Sequence, residues 1–239
     1  MITTILNCYK RPEYLQEQIQ AIKNQTIKGN DIWIWYNKPE DEDQYDLSDL
    51  GCKVVSSNHN FKFHGRFALG LLSQTKYLAF FDDDTIPGSQ WFENCLNTIE
   101  KGYNGILGSA GILLHSNTYD PHTKIGWNGG GNENIVEVDL VGHAWFFERN
   151  MLSNLWNNEQ ISFENGEDIQ LSAFNKMQKN IKTYVPPHPI NNKNMWGSIK
   201  GGTYGNDSKA SYKISNHGSL RNNIVNTLIN KGWMPVNKS

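Results

Sequence analysis

The sequence has no excess of either charge. Its 22 Lys and Arg against 24 Asp and Glu leave a formal net charge of −2 over 239 residues, so no global basic field marks nucleic acid as the main partner. Cysteine is scarce: Cys8, Cys52 and Cys95 are an odd number without metal-like spacing, and they read as reduced thiols in a cytoplasmic setting. Long apolar runs are missing too. None approaches the roughly 18 residues that cross a bilayer, and the strand-like Thr3-Thr4-Ile5-Leu6 leaves no visible signal peptide. A soluble protein with no transmembrane segment is expected.

What is present is a globular composition, 38% hydrophobic and 19% charged, sized for one large domain. Eight Trp and ten Tyr suit either sugar and base pockets or an ordinary core. Short apolar strands alternate with helical patterns. Strands are expected at 3–9, 31–37, 53–57, 77–81, 104–114, 137–147 and 182–185. Helices are expected after Pro12, at 65–74, 91–101, 167–179 and 220–231. An acidic loop over 39–49 and polar stretches over 115–134 and 191–216 read as loops, the second of them mobile. Such alternation implies an α/β sandwich with a mostly parallel central sheet flanked by helices, in which ligands bind at the carboxyl ends of strands where the order reverses.

The strongest chemical signal is Phe80-Phe81-Asp82-Asp83-Asp84-Thr85-Ile86-Pro87-Gly88. Tyr77-Leu78-Ala79-Phe80-Phe81 is an unbroken apolar run of the kind buried on both faces of a sheet. Three carboxylates at its end repel one another unless a cation or donors compensate. Asp82 and Asp84, two apart on an extended segment, point the same way. Mn²⁺ or Mg²⁺ prefers such oxygen ligands and also bridges diphosphate oxygens. A solvated acidic turn is the plainer alternative.

Four pieces in order carry a resemblance. They are Ile5-Leu6-Asn7-Cys8-Tyr9-Lys10-Arg11-Pro12; Asn58-His59-Asn60 with Arg66-Phe67; Asp82 to Asp84; and Val138-Asp139-Leu140-Val141-Gly142 followed by Asn165-Gly166-Glu167-Asp168-Ile169. Over 3–189 the chain resembles GT-A nucleotide-sugar glycosyltransferases, of the family 2 and exostosin-like types. It is also similar in size and motif order to small glycosyltransferases of large algal viruses. The resemblance implies a GT-A domain over 1–190, with 191–239 adding a flexible flap and a terminal helix to the same domain. It implies transfer from a nucleotide-diphosphate donor, a UDP-sugar, to a hydroxyl of a glycan or glycoprotein acceptor.

The roles it implies follow residue by residue. Asn7, Tyr9, Arg11, Asn37, Asn58, Arg66, Asp82 and Asp83 would serve the donor. Tyr9 would stack on the base, Asn37 would meet its edge, and Arg11 and Arg66 would hold charge on the base or diphosphate. Asp84 and Asp82 would hold the metal with His188 as a further ligand, His217 being a competitor. Asp139, His143 and Trp145 would touch the acceptor, and Glu167 and Asp168 would be catalytic. In an inverting enzyme Asp168 is the general base; in a retaining one it positions groups. Lys200, in the flap Trp196 to Gly202, would neutralise the leaving diphosphate. Bland readings stand beside these: Tyr9 covering the sheet edge, Arg66 pairing with the acidic loop, Glu167-Asp168 capping a helix, Trp145 in the core. Rival functions are a haloacid-dehalogenase-like phosphatase, a sugar nucleotidyltransferase and a non-catalytic carbohydrate-binding module.

Overall fold

The computed structural model describes residues 1–39, 45–208, 210–213 and 215–238, with the backbone alone for Lys238. The acidic stretch 40–44 lies outside the described residues. Nine strands form one sheet: β1 (Ile2–Cys8), β2 (Asn30–Asn37), β3 (Lys53–Ser57), β4 (Tyr77–Phe81), β5 (Ile106–Leu114), β6 (His122–Gly126), β7 (Val136–Val138), β8 (Leu140–Glu148) and β9 (Thr183–Val185). The order is β3-β2-β1-β4-β8-β5-β9-β7, with β6 hairpinned onto β5.

Strand alternation splits the core in two. Ile5 and Phe80 join one buried cluster with Phe67, Trp145, Ile169 and Leu228. Their neighbours Leu6 and Phe81 join another with Ile19, Trp91 and Phe92 on the opposite face. The first face is covered by α2 (Gly65–Gly70), α4 (Ser153–Trp156), α5 (Glu167–Lys179) and α7 (His217–Asn230). The second is covered by α1 (Leu15–Lys23) and α3 (Trp91–Glu100). Strand β4 is buried on both faces, as its unbroken apolar run requires.

The parallel sheet expected from the sequence holds for β3-β2-β1-β4. Beyond it the sheet is mixed, because β8 runs antiparallel to both β4 and β5 while β9 is parallel to β5. The single strand expected over 137–147 breaks at Asp139. That carboxylate turns inward to accept from the amides of Leu114 (2.7 Å) and Val236 (2.6 Å). The stretch 115–134 is not a loop throughout: it contains β6 and a 3-10 turn, Trp127–Gly129, closed by the Gly131 amide on the Gly126 carbonyl at 2.9 Å.

Strand β1 lies between β2 and β4; the chain leaves the carboxyl end of β1 towards β2 and that of β4 towards β5, in opposite directions. Tyr9 to Arg11 and Asp82 to Asp84 emerge side by side at that switch point.

Candidate active site

Register brings the site together. Strand β8 carries an extra residue against β5: Gly108 pairs with Trp145 and Ala110 with Gly142. A bulge of this kind re-aims a side chain, and His143 sits in it with φ of 65°, a left-handed conformation that costs a non-glycine residue about 1 kcal/mol or more. Antiparallel pairing then places the His143 carbonyl on the Asp82 amide at 3.0 Å. The His143 Nδ1 ends 3.8 Å from both Asp82 Oδ2 and Asp84 Oδ1. That is too long for a hydrogen bond, and Nδ1 is buried without a partner.

Asp82, Asp84 and His143 offer ligand atoms that all lie within 4.8 Å of one another. An oxygen–oxygen–nitrogen set with an orphaned imidazole nitrogen fits a divalent cation such as Mn²⁺ or Mg²⁺. Burial opposes protonation of His143, but Asp84 and Asp82 outweigh it and raise its pKa. His188, expected as the third ligand, is elsewhere. It is fully buried, with Nδ1 2.8 Å from the Pro186 carbonyl and Nε2 accepting from the Gly197 amide at 3.3 Å. Burial pushes it down to about 4. It packs between Trp91 and Trp196, a structural histidine. His217 is also away from the aspartates: its Nδ1 lies 3.1 Å from the Asn165 amide.

Two arginines organise the carboxylates. Arg11 spans three of them: Nη1 donates to Asp83 at 2.8 Å, Nε and Nη2 grip Asp207 at 2.9 and 2.6 Å, and Asp84 lies 3.9 Å away. Burial pushes Asp83 up to about 7, Arg11 opposing and Asp84 and Asp82 adding to the rise. Arg66, 2% exposed, binds Asp82 and donates to Glu167 at 3.0 Å, its guanidinium 4.7 Å from the Trp145 ring centre. It therefore ties the aspartate cluster to the Glu-Asp pair and does not pair with the acidic loop residues that are described. Burial and the adjacent Asp168 raise Glu167 to about 7.

The Glu-Asp pair opens α5 after Gly166, whose φ of 82° needs a glycine. Asp168 faces β8: a Cβ on Gly142 would lie 3.9 Å from its Oδ2. Its carboxylate is held by Arg221 of α7, Nη1 to Oδ1 at 3.0 Å and Nη2 to Oδ2 at 2.7 Å. Tyr119 covers that guanidinium at 4.2 Å. Arg221 was not legible in the sequence, since nothing marks one arginine of a terminal helix as a partner 53 residues away.

Other expected residues divide. Tyr9 Oη accepts from Asn60 at 3.0 Å, and the Asn37 amide bonds Asn60 and the Lys62 carbonyl and accepts from Phe61 N. Asn37 is 2% exposed with its polar atoms used, so it holds the 58–62 loop and does not face a base. Asn7 is half-buried on β1, and Asn58 is exposed. Trp145 is core, its indole N–H on the Val141 carbonyl at 2.9 Å, and Asp139 is the inward cap described above. Neither faces an acceptor; His143 belongs with the aspartates. Lys200 is engaged by Glu17 and, at 3.1 Å, by Tyr204 Oη, which stacks on Tyr14 at 3.9 Å.

The segment expected to be a flap is a strap laid over the aspartate cluster. Trp196 and Ile199 bond Gly88 and Ile86, each at 2.8 Å, and the helical turn α6 (Gly201–Tyr204) follows. A Cβ on Gly205 would overlap Asp84 Oδ2.

Fold and site together define a GT-A-type α/β transferase. The sequence profile of glycosyl transferase family 2 matches residues 3–156, and the chain belongs to that family. An uncharacterized glycosyltransferase of Haemophilus influenzae is 26% identical over 107 residues, covering 42% of this chain and 33% of that protein. S. aureus TarS superposes with a TM-score of 0.56 at 11% identity, over 79% of this chain and 35% of TarS. Its 1–349 fragment in complex with UDP gives 0.55 at 12%, over 79% and 58%. The chain thus spans about a third of the relative and of TarS. Among the described residues no helix is long and apolar enough to cross a membrane. Family membership sets aside the phosphatase, nucleotidyltransferase and binding-module readings.

Proposed function

We propose that this chain transfers a sugar from a UDP-sugar to a hydroxyl of a glycan or glycoprotein acceptor, with Mn²⁺ or Mg²⁺ held by Asp82, Asp84 and His143. The observation that carries the reading is His143 Nδ1, buried without a hydrogen bond and facing two aspartates at the sheet's switch point. A likeness in fold to a UDP-bound structure supports the donor class.

The bound cation would offset charge on the departing diphosphate. Tyr9 and Asn60, joined at 3.0 Å, form the wall for the base, and half-buried Asn7 and exposed Asn58 serve the donor with them. Arg11 holds Asp83 and Asp207 and so fixes the loop that carries the metal ligands. Arg66 positions Asp82 against Glu167. Asp168 meets the acceptor hydroxyl, held in one orientation by Arg221; it takes the proton if configuration inverts. The strap excludes water that would hydrolyse the donor.

The test is release of UDP from UDP-sugars with Mn²⁺ and with EDTA. Metal-dependent turnover that Asp84→Ala abolishes supports the reading, with Asp168→Ala keeping UDP binding but losing transfer. Turnover unchanged in EDTA, or in Asp84→Ala, would sink it.

A further inference from the structure

A second set of unpartnered polar atoms adjoins the metal ligands. Trp127, carried on the turn after β6, stands edge-on to the His143 ring with centroids 4.9 Å apart. Its Nε1–H is buried and has no acceptor. The same indole borders the strap: a Cβ on Gly201 would meet Trp127 Cη2 at 3.1 Å and Ser198 Oγ at 2.7 Å. Ser198 is 1% exposed and its Oγ has no partner either. Gly201 closes the circle, because a Cβ on Gly205 would lie 2.8 Å from its carbonyl and also against Asp84. Within one corner stand an indole donor and a hydroxyl that both donates and accepts. Both atoms are buried, and the indole lies beside His143 of the group that would hold the diphosphate's cation.

Burying such groups without partners costs roughly 1–3 kcal/mol each, so the corner suits a ligand that supplies acceptors and donors together. A pyranose does so with its hydroxyls, while its C–H face lies against an aromatic ring. Glycines at 201 and 202 add no side chain against the indole, where a Cβ would stand 3.1 Å and 4.0 Å from its ring atoms. We propose that Trp127 and Ser198 form the subsite for the transferred sugar of the nucleotide donor and set which sugar is accepted. The proposal rests on the donor reading above and adds its sugar-recognising residues. In this arrangement the hairpin β5–β6 supplies one wall and the strap the other. The sugar subsite is therefore complete only when the strap lies down.

The test compares affinity for UDP with affinity for UDP-glucose, UDP-galactose, UDP-N-acetylglucosamine and UDP-xylose, all with Mn²⁺, by titration calorimetry. For the unaltered protein one member of the panel binds more tightly than UDP. Trp127→Phe keeps the ring and removes the N–H, and Ser198→Ala removes the hydroxyl. Each is expected to cut the ratio of sugar-nucleotide to UDP affinity by about tenfold, the scale of one buried hydrogen bond, and to flatten preference across the panel. A ratio and a preference unchanged in both variants would overturn the proposal, as would an unaltered protein that binds UDP yet gains nothing from any of the four sugars. Absence of UDP binding in the unaltered protein would remove the donor reading itself, a result separable from failure of the sugar subsite.

Discussion

Arg221 grips Asp168 with both arms of its guanidinium, 3.0 Å to Oδ1 and 2.7 Å to Oδ2, and a third contact at 3.0 Å runs from Nη1 to Asn165. A fork of this geometry fixes the carboxylate plane as well as its position. The last helix thereby reaches into the site from 53 residues along the chain. Burial opposes its charge, but Asp168 holds the Arg221 guanidinium protonated, with Tyr119 also raising its pKa.

Arg221→Lys keeps the charge and loses the fork, so transfer should fall on the order of 10²-fold while UDP binding with Mn²⁺ is retained. Arg221→Ala strands a buried carboxylate and should cost about 3–5 kcal/mol of stability. Steady-state kinetics and chemical denaturation separate the two effects.

His143 and His188 should behave oppositely. His143→Ala should weaken Mn²⁺ binding by at least about tenfold, the range of even an outer-shell loss. His188→Ala should leave Mn²⁺ affinity unchanged and lower stability by about 1–3 kcal/mol, because the Gly197 amide loses its acceptor in a buried place. Calorimetric Mn²⁺ titration with thermal melts decides this.

The pH dependence of stability carries Asp83's signature. Burial pushes its folded carboxyl up to about 7 from the ordinary 3.8. Between those values the folded state keeps a proton that the unfolded chain has released, so this group's contribution falls as pH rises from about 4 to about 7. Buried His64 and His188, both pushed down to about 4 by burial, contribute with the opposite sign below about 6.5 and mask the trend in the whole protein. The difference between wild type and Asp83→Asn isolates it. In EDTA, the wild type's advantage in melting temperature should shrink steadily from pH 4.5 to 7. A difference that is flat or grows contradicts the assignment.

Gly205→Ala tests whether the strap must lie on the metal motif. A methyl there overlaps Asp84 Oδ2, and the Asp84 side chain cannot retreat without leaving His143. Mn²⁺-dependent UDP affinity should drop by about tenfold, or hydrolysis of the donor by water should rise. A Gly202→Ala control, whose Cβ meets nothing closer than 4.0 Å, should leave UDP affinity unchanged. Product analysis of UDP release with and without acceptor reads both.

Much of the site could be read from the chain because its signals are local. The apolar run at β4 fixes where the strand ends, and the three aspartates follow immediately. Charge repulsion between neighbours in sequence needs no tertiary information. The Glu167-Asp168 helix start and the β1 terminus are local in the same sense. Which histidine faces the aspartates was not legible, because that depends on register between distant strands. His188 follows a strand just as a ligand should, yet its ring is spent on Pro186 and Gly197. Asp139 falls in the break between β7 and β8 and Trp145 on the core face of β8, so neither was placed by alternation along one strand.

The sequence by itself determined β1 to β5, the α/β alternation and the acidic cluster at the end of β4, since each follows from periodicity and adjacency along the chain, whereas β6 and the break between β7 and β8 escaped it. Only the tertiary structure decided which histidine meets Asp82 and Asp84, which arginine holds Asp168, and where the strap lies. Those pairings arise from a one-residue bulge on β8, the packing of α7 on α5, and glycines that leave room above Asp84. They are set by contacts between segments far apart in the chain, whose register no local pattern encodes.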